Sequence, residues 1–297
     1  MQKSDSNSTN LRQDNNIKAG IFWMIMTMLL FVSMDTCAKF LVAQYPTIQV
    51  AWGRYFFQVL ILVVALAPKL PTLIRTTSLK FQLIRSMFLL GATLCFFTGL
   101  QTIQVAEASA IMYTAPLMLT AAAPFVLKEK VGIRRWMSVL VGFAGAMIII
   151  RPGQGAIAEG AFWVLGAAAC YACYQLSTRA LSGQDSVLTT LFYSALMGAV
   201  IMSAIVPFYF VEVALRDWGI IALLGLFGTL GHFCMIKAFT CAEASQVAPY
   251  SYTNLIWASI FGFVLFGTHP DLWTYVGAGI IIGSGLYIIH RERKIKG

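Results

Sequence analysis

The 297-residue chain is 59% hydrophobic and only 11% charged, with a mean hydropathy of +0.76 and a formal charge of +9. This composition excludes a soluble globular domain, and the apolar runs are long enough to cross a bilayer, so the chain reads as a polytopic membrane protein. The positive charge alone would suit nucleic acid, but the basic residues fall in short connections between apolar runs, where membrane topology accounts for them; no nucleic-acid partner is expected.

In chain order, residues 1–17 (MQKSDSNSTNLRQDNNI) are polar and lack the apolar core and cleavage site of a signal peptide, so they read as a disordered cytoplasmic tail. Ten apolar helices are predicted near residues 18–43, 47–67, 82–104, 109–127, 134–150, 158–179, 186–209, 218–240, 245–266 and 271–290, followed by a basic cytoplasmic tail at 291–297. The expected fold class is all-α integral membrane. With the amino terminus inside, sixteen Lys and Arg, including Lys69, Arg75, Lys80 and Arg85, lie on the inner side. Three (Lys39, Arg151, Arg216) lie near the outer face, and Arg54 and Lys237 lie within spans. That imbalance places both termini in the cytoplasm.

Ala106-Glu107-Ala108-Ser109 recurs as Ala242-Glu243-Ala244-Ser245, each time between the third and fourth spans of a five-span half. An odd number of spans per half turns the second half upside down relative to the first. The expected architecture is therefore two inverted five-helix repeats, residues 18–151 and 158–290, which is the build of secondary transporters that hold substrate near the bilayer midplane. Trp136–Gly142 matches Trp273–Gly279, and Lys39 pairs loosely with Arg179. Glu107 and Glu243 suit the start of the next helix, where Ser109 or Ser245 can cap. Six cysteines lie within or at the edge of spans. Cys170-x-x-Cys173 has no second Cys or His pair nearby and reads as packing, so neither a disulfide nor a metal site is expected.

Ionisable groups inside a span cost several kcal/mol if unpaired, which makes each a functional candidate. Asp35 lies about 12 Å in from the outer end of its helix and Arg54 about 10 Å in from the same face, at 1.5 Å per residue. At that shared level the two can form a charge-assisted pair, with Lys39, four residues from Asp35, as a competing partner. The functional reading is that Asp35, Arg54 and Lys39 gate or couple transport, Asp35 by taking a proton; the alternative is a structural clamp or an outward-snorkelling Arg54. His232 is the histidine deep in a span, either packed in a polar pocket or contacting substrate. Lys237 snorkels to the inner boundary.

Helices four and nine carry the most binding-like polarity. Tyr113, Thr114 and Pro116 lie in one, and Pro249, Tyr250, Ser251, Tyr252, Asn254 and Trp257 in the other. Proline near the middle of a span frees backbone carbonyls that neighbours, water or a ligand must satisfy. Tyr174 and Gln175 in helix six, and Phe97 and Gln101 in helix three, add aromatic and amide groups. Together with Tyr113, His232, Tyr252, Asn254 and Trp257 they are the expected substrate-binding set, suited to a planar or zwitterionic metabolite. Ordinary helix packing is the competing explanation for any one of them.

These residues resemble the drug/metabolite transporter superfamily, and within it the EamA-type permeases, over the whole chain after residue 17. The stretches that carry the resemblance are Asp35-Thr-Cys-Ala-Lys39, Gly53-Arg54, Tyr113-Thr-Ala-Pro116, Leu127-Lys-Glu129 with Arg135-Trp136, Gly142-Phe-Ala-Gly145, Arg151-Pro-Gly153 and Ala248-Pro-Tyr-Ser-Tyr252. Two departures stand out: Lys128 replaces a usual Gly before Glu129, and Thr268 stands where the second half usually repeats that Glu. The resemblance implies a ten-helix inverted-repeat carrier of the bacterial inner membrane with a central cavity. It looks closest to S-adenosylmethionine uptake-type carriers, with riboflavin uptake and export of amino acids or opine-type metallophores as alternatives. The expected partners are a small-molecule metabolite and the lipid bilayer, and a homo-oligomer is compatible with this reading. No H-E-x-x-H, G-x-S-x-G or G-x-x-x-x-G-K-[ST] occurs, so neither an enzyme, a nucleotide-driven motor nor a cofactor is expected. A non-transporting receptor or scaffold, or an intramembrane enzyme, is the rival class; neither needs an inverted duplication.

Overall fold

The computed structural model describes residues 2–126, 132–153, 156–180, 185–242 and 247–296, and all regular structure among them is helical. The first half contains α1 (Gln2–Val42), α2 (Thr47–Ala65), a one-turn α3 (Leu70–Leu73), α4 (Leu79–Gly99), α5 (Val105–Met112) with α6 (Ala115–Val126), and α7 (Ile133–Ile150). The second contains α8 (Ala156–Ala180), α9 (Val187–Ile205), α10 (Leu215–Cys241), a 3-10 turn (Ala248–Tyr252) running into α11 (Thr253–Phe266), and α12 (Leu272–Lys296). Counting α5 with α6, and the turn with α11, gives the ten expected spans. Among the described residues six spans meet both the length and hydropathy for crossing a membrane, and Trp136–Ile150 and Leu272–Tyr287 are shorter apolar helices. Large apolar side chains such as Leu60, Val64, Leu140, Val200 and Val264 stay exposed on the outside of the bundle. The apolar part of α1 is Asn16–Val42, and its helix continues back to Gln2 through the polar segment, which no Gly or Pro interrupts. Lys128, Glu129 and Glu243 to Ser245 lie outside the described residues.

The interfaces demonstrate the inverted duplication. The first span of each half packs on the third span of the other, α1 on α10 and α8 on α4. Third spans pack on the opposite second spans, α10 on α2 and α4 on α9; first spans also meet the opposite fourth, α1 on α11 and α8 on α5 and α6. The remaining large interfaces join equivalent spans: α2 with α9, α5 with α11, and α7 with α12. Every large interface thus has a mate or is its own mate, as a pseudo-two-fold axis requires.

Small residues permit these crossings, because helices in lipid associate by close backbone packing. A Cβ on Gly99 would stand 2.7 Å from the Gly160 carbonyl oxygen, and one on Gly160 would stand 3.0 Å from the Gly99 carbonyl oxygen and strike the Thr102 hydroxyl. At the mate crossing a Cβ on Gly20 would meet the Ala242 Cβ at 2.8 Å and the Ala238 carbonyl oxygen at 3.3 Å. Gly20-Ile-Phe-Trp23 and Gly160-Ala-Phe-Trp163 are therefore a second internal repeat, with a packing reason behind it.

By these contacts the bundle sorts into one group of α1, α2, α10 and α11, a second of α4, α5, α6, α8 and α9, and a peripheral α7–α12 pair. Each group mixes both sequence halves. The two five-helix halves are therefore not separate bodies: each half is bound more tightly to the other than within itself. The face that carries the 66–78 connection is termed the terminal face, and the face that carries 43–46 and 206–214 the distal face.

Replacing Gly160 with Leu is expected to overpack the α4–α8 crossing and destabilise by about 1–3 kcal/mol. Gly166→Ala, whose Cβ meets nothing within 4 Å, is the control. Thermal unfolding in detergent reads both, and equal melting temperatures would show that the crossing is not close-packed.

Candidate functional site

The two fourth spans are both broken, and the breaks face each other. Between α5 and α6, Pro116 has no N–H to offer the carbonyl of Met112, and the chain turns at Tyr113 and Thr114. In the other half Pro249 opens the 3-10 turn that precedes α11. The Tyr113 hydroxyl donates to the Ser251 carbonyl at 2.7 Å, and the Tyr113 and Tyr252 rings lie 4.8 Å apart at 52°. Tyr113 is eight residues into its span, about 12 Å along the helix, which is close to the middle of a hydrocarbon core about 30 Å thick. The structure therefore brings together Tyr113 and Tyr252, two members of the candidate set. Beyond them Asn254 is half-buried without a hydrogen bond among the described residues, and the Trp257 Nε1 is buried without a partner, as are Thr36 Oγ1 and Ser109 Oγ.

Charged groups lie on the distal side of this break. Arg54 is 6% exposed, its Nη1 donates to Thr93 Oγ1 at 2.7 Å, and its guanidinium lies 5.2 Å from the Tyr55 ring centre and 5.8 Å from that of Phe97. The expected ion pair with Asp35 is not formed. Thr93 and the two rings hold Arg54 toward α4, while Asp35, 8% exposed, has neither hydrogen bond nor ion pair among the described residues. The Tyr55 hydroxyl completes the Thr93 contact at 2.7 Å. His232 is 7% exposed and sits edge-on to Phe31, ring centres 5.1 Å apart, as a packed histidine would.

Arg85 changes position relative to the sequence reading. Counted with the inner-side cations in the sequence, it is a buried helix residue: α4 begins at Leu79, three residues before the expected start at 82, so Arg85 is already one and a half turns into the helix, 1% exposed. Its Nη2 donates to Ser194 Oγ at 2.6 Å, the Thr190 carbonyl at 3.1 Å and the Tyr174 hydroxyl at 3.3 Å, with the guanidinium 4.8 Å from the centre of the Tyr174 ring. Tyr174 also stacks on Tyr171 at 5.6 Å, and Gln175 is half-buried beside it. Arg85, Leu89, Thr93 and Phe97 form one buried i, i+4 stripe on α4, a pattern that was visible in the sequence once the helix start was placed correctly.

Two further candidates do other work. Lys39 does not reach Asp35; its Nζ donates to the Leu100 and Ile103 carbonyls at 2.6 and 3.0 Å, where a cation satisfies free carbonyls at the end of α4. Gln101 is exposed, because α4 ends at Gly99 rather than 104, and its amide donates to Thr47 Oγ1 at 3.1 Å outside any cavity. Ser109 is not a cap either: α5 starts at Val105, and Glu107 reaches back to accept the Gln104 N–H at 3.1 Å.

Lys39, Gln101 and the Trp52 Nε1, which donates to Ser203 Oγ at 3.0 Å, all bridge the two helix groups on the distal side. Among the described residues, hydrogen bonds between the groups lie at the level of Tyr113 or distal to it, so the seam is bonded shut toward the distal face. Arg151, held in the left-handed region at φ 46°, forms an ion pair with Asp271 that ties α7 to α12 on the same face. Within each group a polar staple fixes a loop. Asp185 accepts from Thr76, Thr77 and Gln82, and at the equivalent place Tyr45 donates to Asp217 at 2.8 Å while Gln49 pairs with the Val211 backbone.

Comparison with known proteins agrees with this architecture. The EamA-like transporter family matches residues 18–151 and 158–290. The chain is 28% identical to an S-adenosylmethionine uptake transporter of Rickettsia bellii, covering 93% of this chain and 94% of that protein. It is 30% identical to a riboflavin transporter of Vibrio cholerae, with the same coverage. A crystal structure at 14% identity superposes with a TM-score of 0.61 over 92% of this chain and 99% of the other, a likeness of fold alone.

Two measurements follow. Lys39→Met removes a seam bond and is expected to raise the labelling rate of a reporter cysteine placed in the distal seam; an unchanged rate would show that Lys39 does not help close it. At Asp185, partial burial raises the carboxyl, but hydrogen bonds from Thr76, Gln82 and Thr77 outweigh that and hold it below the usual carboxylate range. Its stabilising contribution is then present above the ordinary Asp range and lost only as pH falls through the lowered value. Asp185→Asn should lower the melting temperature by the same amount at pH 6 and pH 8, and a loss confined to pH 8 contradicts this.

Proposed function

The chain belongs to the EamA-like transporter family and is a transporter of a small metabolite; from that premise we propose that it takes up S-adenosylmethionine or a close amino-acid-derived relative across the bacterial inner membrane by alternating access. The observation that carries the reading is the pair of broken fourth spans meeting across the seam at Tyr113 and Ser251, since discontinuous helices at the midplane expose backbone groups to substrate. With both termini in the cytoplasm the terminal face is the inner one, and the bonded distal seam makes this an outward-closed conformation.

Transport then requires the seam to open distally and close on the terminal side, the two mixed groups tilting about the midplane while the staples keep each group intact. Tyr113, Tyr174, Gln175, Tyr252, Asn254, Trp257 and the ring of Phe97 surround the site, His232 being packed on Phe31, with Asp35 as the coupling carboxylate and Lys39 in the distal gate. No covalent step is required in this cycle. Riboflavin uptake is the second reading, favoured by the aromatic pairs Tyr113–Tyr252 and Tyr171–Tyr174, whose faces suit a flat ring system.

Counterflow in proteoliposomes across S-adenosylmethionine, riboflavin, aromatic amino acids and opine-type metallophores is expected to show accumulation of labelled S-adenosylmethionine, and accumulation of riboflavin alone favours the second reading. Asp35→Asn is expected to flatten the pH dependence of uptake; an unchanged profile removes Asp35 from coupling.

A further inference from the structure

Asp35 and Arg54 hold opposite charges at one level of the bundle without meeting. Arg54 is drawn aside by Thr93, its Nε is buried without a partner, and its Nη2 makes no hydrogen bond among the described residues. A guanidinium has five N–H donors, so most of its bonding capacity is unused. Asp35 is in the same condition, buried and unpartnered among those residues. Arg85 differs, because its Nη2 is surrounded by Ser194, Thr190 and Tyr174. Ionised groups left unpaired at this depth are costly, and a carrier tolerates them where a partner comes and goes. Two unlike charges separated by more than a salt bridge, each with free bonding capacity, are the complement of a zwitterion.

We propose that the site recognises an α-amino-acid headgroup, its carboxylate bound by Arg54 and its ammonium by Asp35, with the tyrosines around the broken helices taking the rest of the molecule. Arg54 supplies the planar fork that matches a carboxylate. This rests on the transport reading and narrows it: S-adenosylmethionine ends in such a headgroup and riboflavin does not. It also explains why the two side chains are not collapsed into a pair: a direct ion pair would have to be broken at each binding event.

The test is competition for S-adenosylmethionine counterflow by two analogues, decarboxylated S-adenosylmethionine, which lacks the carboxylate, and methylthioadenosine, which lacks the whole headgroup. The native protein is expected to prefer the parent over the decarboxylated compound by about 10- to 100-fold, the loss expected of one charge-assisted hydrogen-bonded contact. Arg54→Gln should bring that ratio close to one and Arg54→Lys should restore part of it. Asp35→Asn should weaken the parent and the decarboxylated compound alike and leave methylthioadenosine unchanged. If the native protein carries S-adenosylmethionine but the decarboxylated compound competes equally well, the headgroup assignment is wrong and the transport reading stands. If S-adenosylmethionine is not carried and riboflavin is, both are wrong. Should Arg54→Gln fail to reach the membrane, the analogue ratio on the native protein decides alone.

Discussion

The crossing of a first span on the third span of the other half governs this molecule. In lipid there is no hydrophobic drive between helices, so association depends on how closely backbones approach. Gly99 against Gly160, and Gly20 against Ala238, give that approach on opposite sides of the pseudo-two-fold axis. Once α8 is seated on α4 and α1 on α10, the second and fourth spans fill the flanks, and the equivalent spans are left to meet along a central seam. The seam, the facing helix breaks and the mixed composition of the two groups all follow from those contacts. A duplicated chain folded as two separate five-helix domains would have its broken helices on different bodies of its own, with no shared midplane site.

Much of the fold was legible because membrane helices must satisfy their own backbone and so announce themselves as long apolar runs. All ten spans, the duplication and the polarity of the fourth spans could be read directly, whereas the contact between Tyr113 and Tyr252 could not. What escaped was set by direction rather than by identity. Asp35 and Arg54 share a depth, yet depth says nothing about the azimuth at which a side chain leaves its helix, and Thr93 with two aromatic rings decides where Arg54 points. Arg85 and Gln101 were misread for a humbler reason: a few residues of error at each end of α4 left Arg85 about one turn from the helix start, among the inner-side cations, and put Gln101 inside a span that ends at Gly99. Lys39 was read through its nearest acid in sequence, whereas the carbonyls at the end of α4 were its nearer acceptors in space.

Polar chemistry is distributed by depth. Near the faces, charged and amide groups cross-link neighbouring elements, as at Asp185, Tyr45 with Asp217, and Arg151 with Asp271, although Arg151 Nε and Gln82 Oε1 are buried without a partner. Toward the middle, Arg54 Nε, Arg85 Nε and Trp257 Nε1 are likewise buried without acceptors. The rims carry the cross-links that keep shape, while Asp35 nearer the centre has no partner among the described residues, an arrangement that suits a carrier whose centre must welcome and release a guest.

The grouping of helices also bears on the order in which the protein is made. Residues 79–205 supply every member of the group that contains α4 and α8, so that group can assemble as soon as α9 has left the ribosome. The other group cannot, because α1 and α2 precede it and their main partner α10 is among the last helices synthesised. The first hairpin must therefore wait in the bilayer, its glycine face and its buried charges uncovered, while the greater part of the chain is inserted around it. α7 likewise waits for α12, but the first hairpin waits longest between membrane insertion and final packing, which makes α1 and α2 the segment most exposed to quality-control proteases during biogenesis.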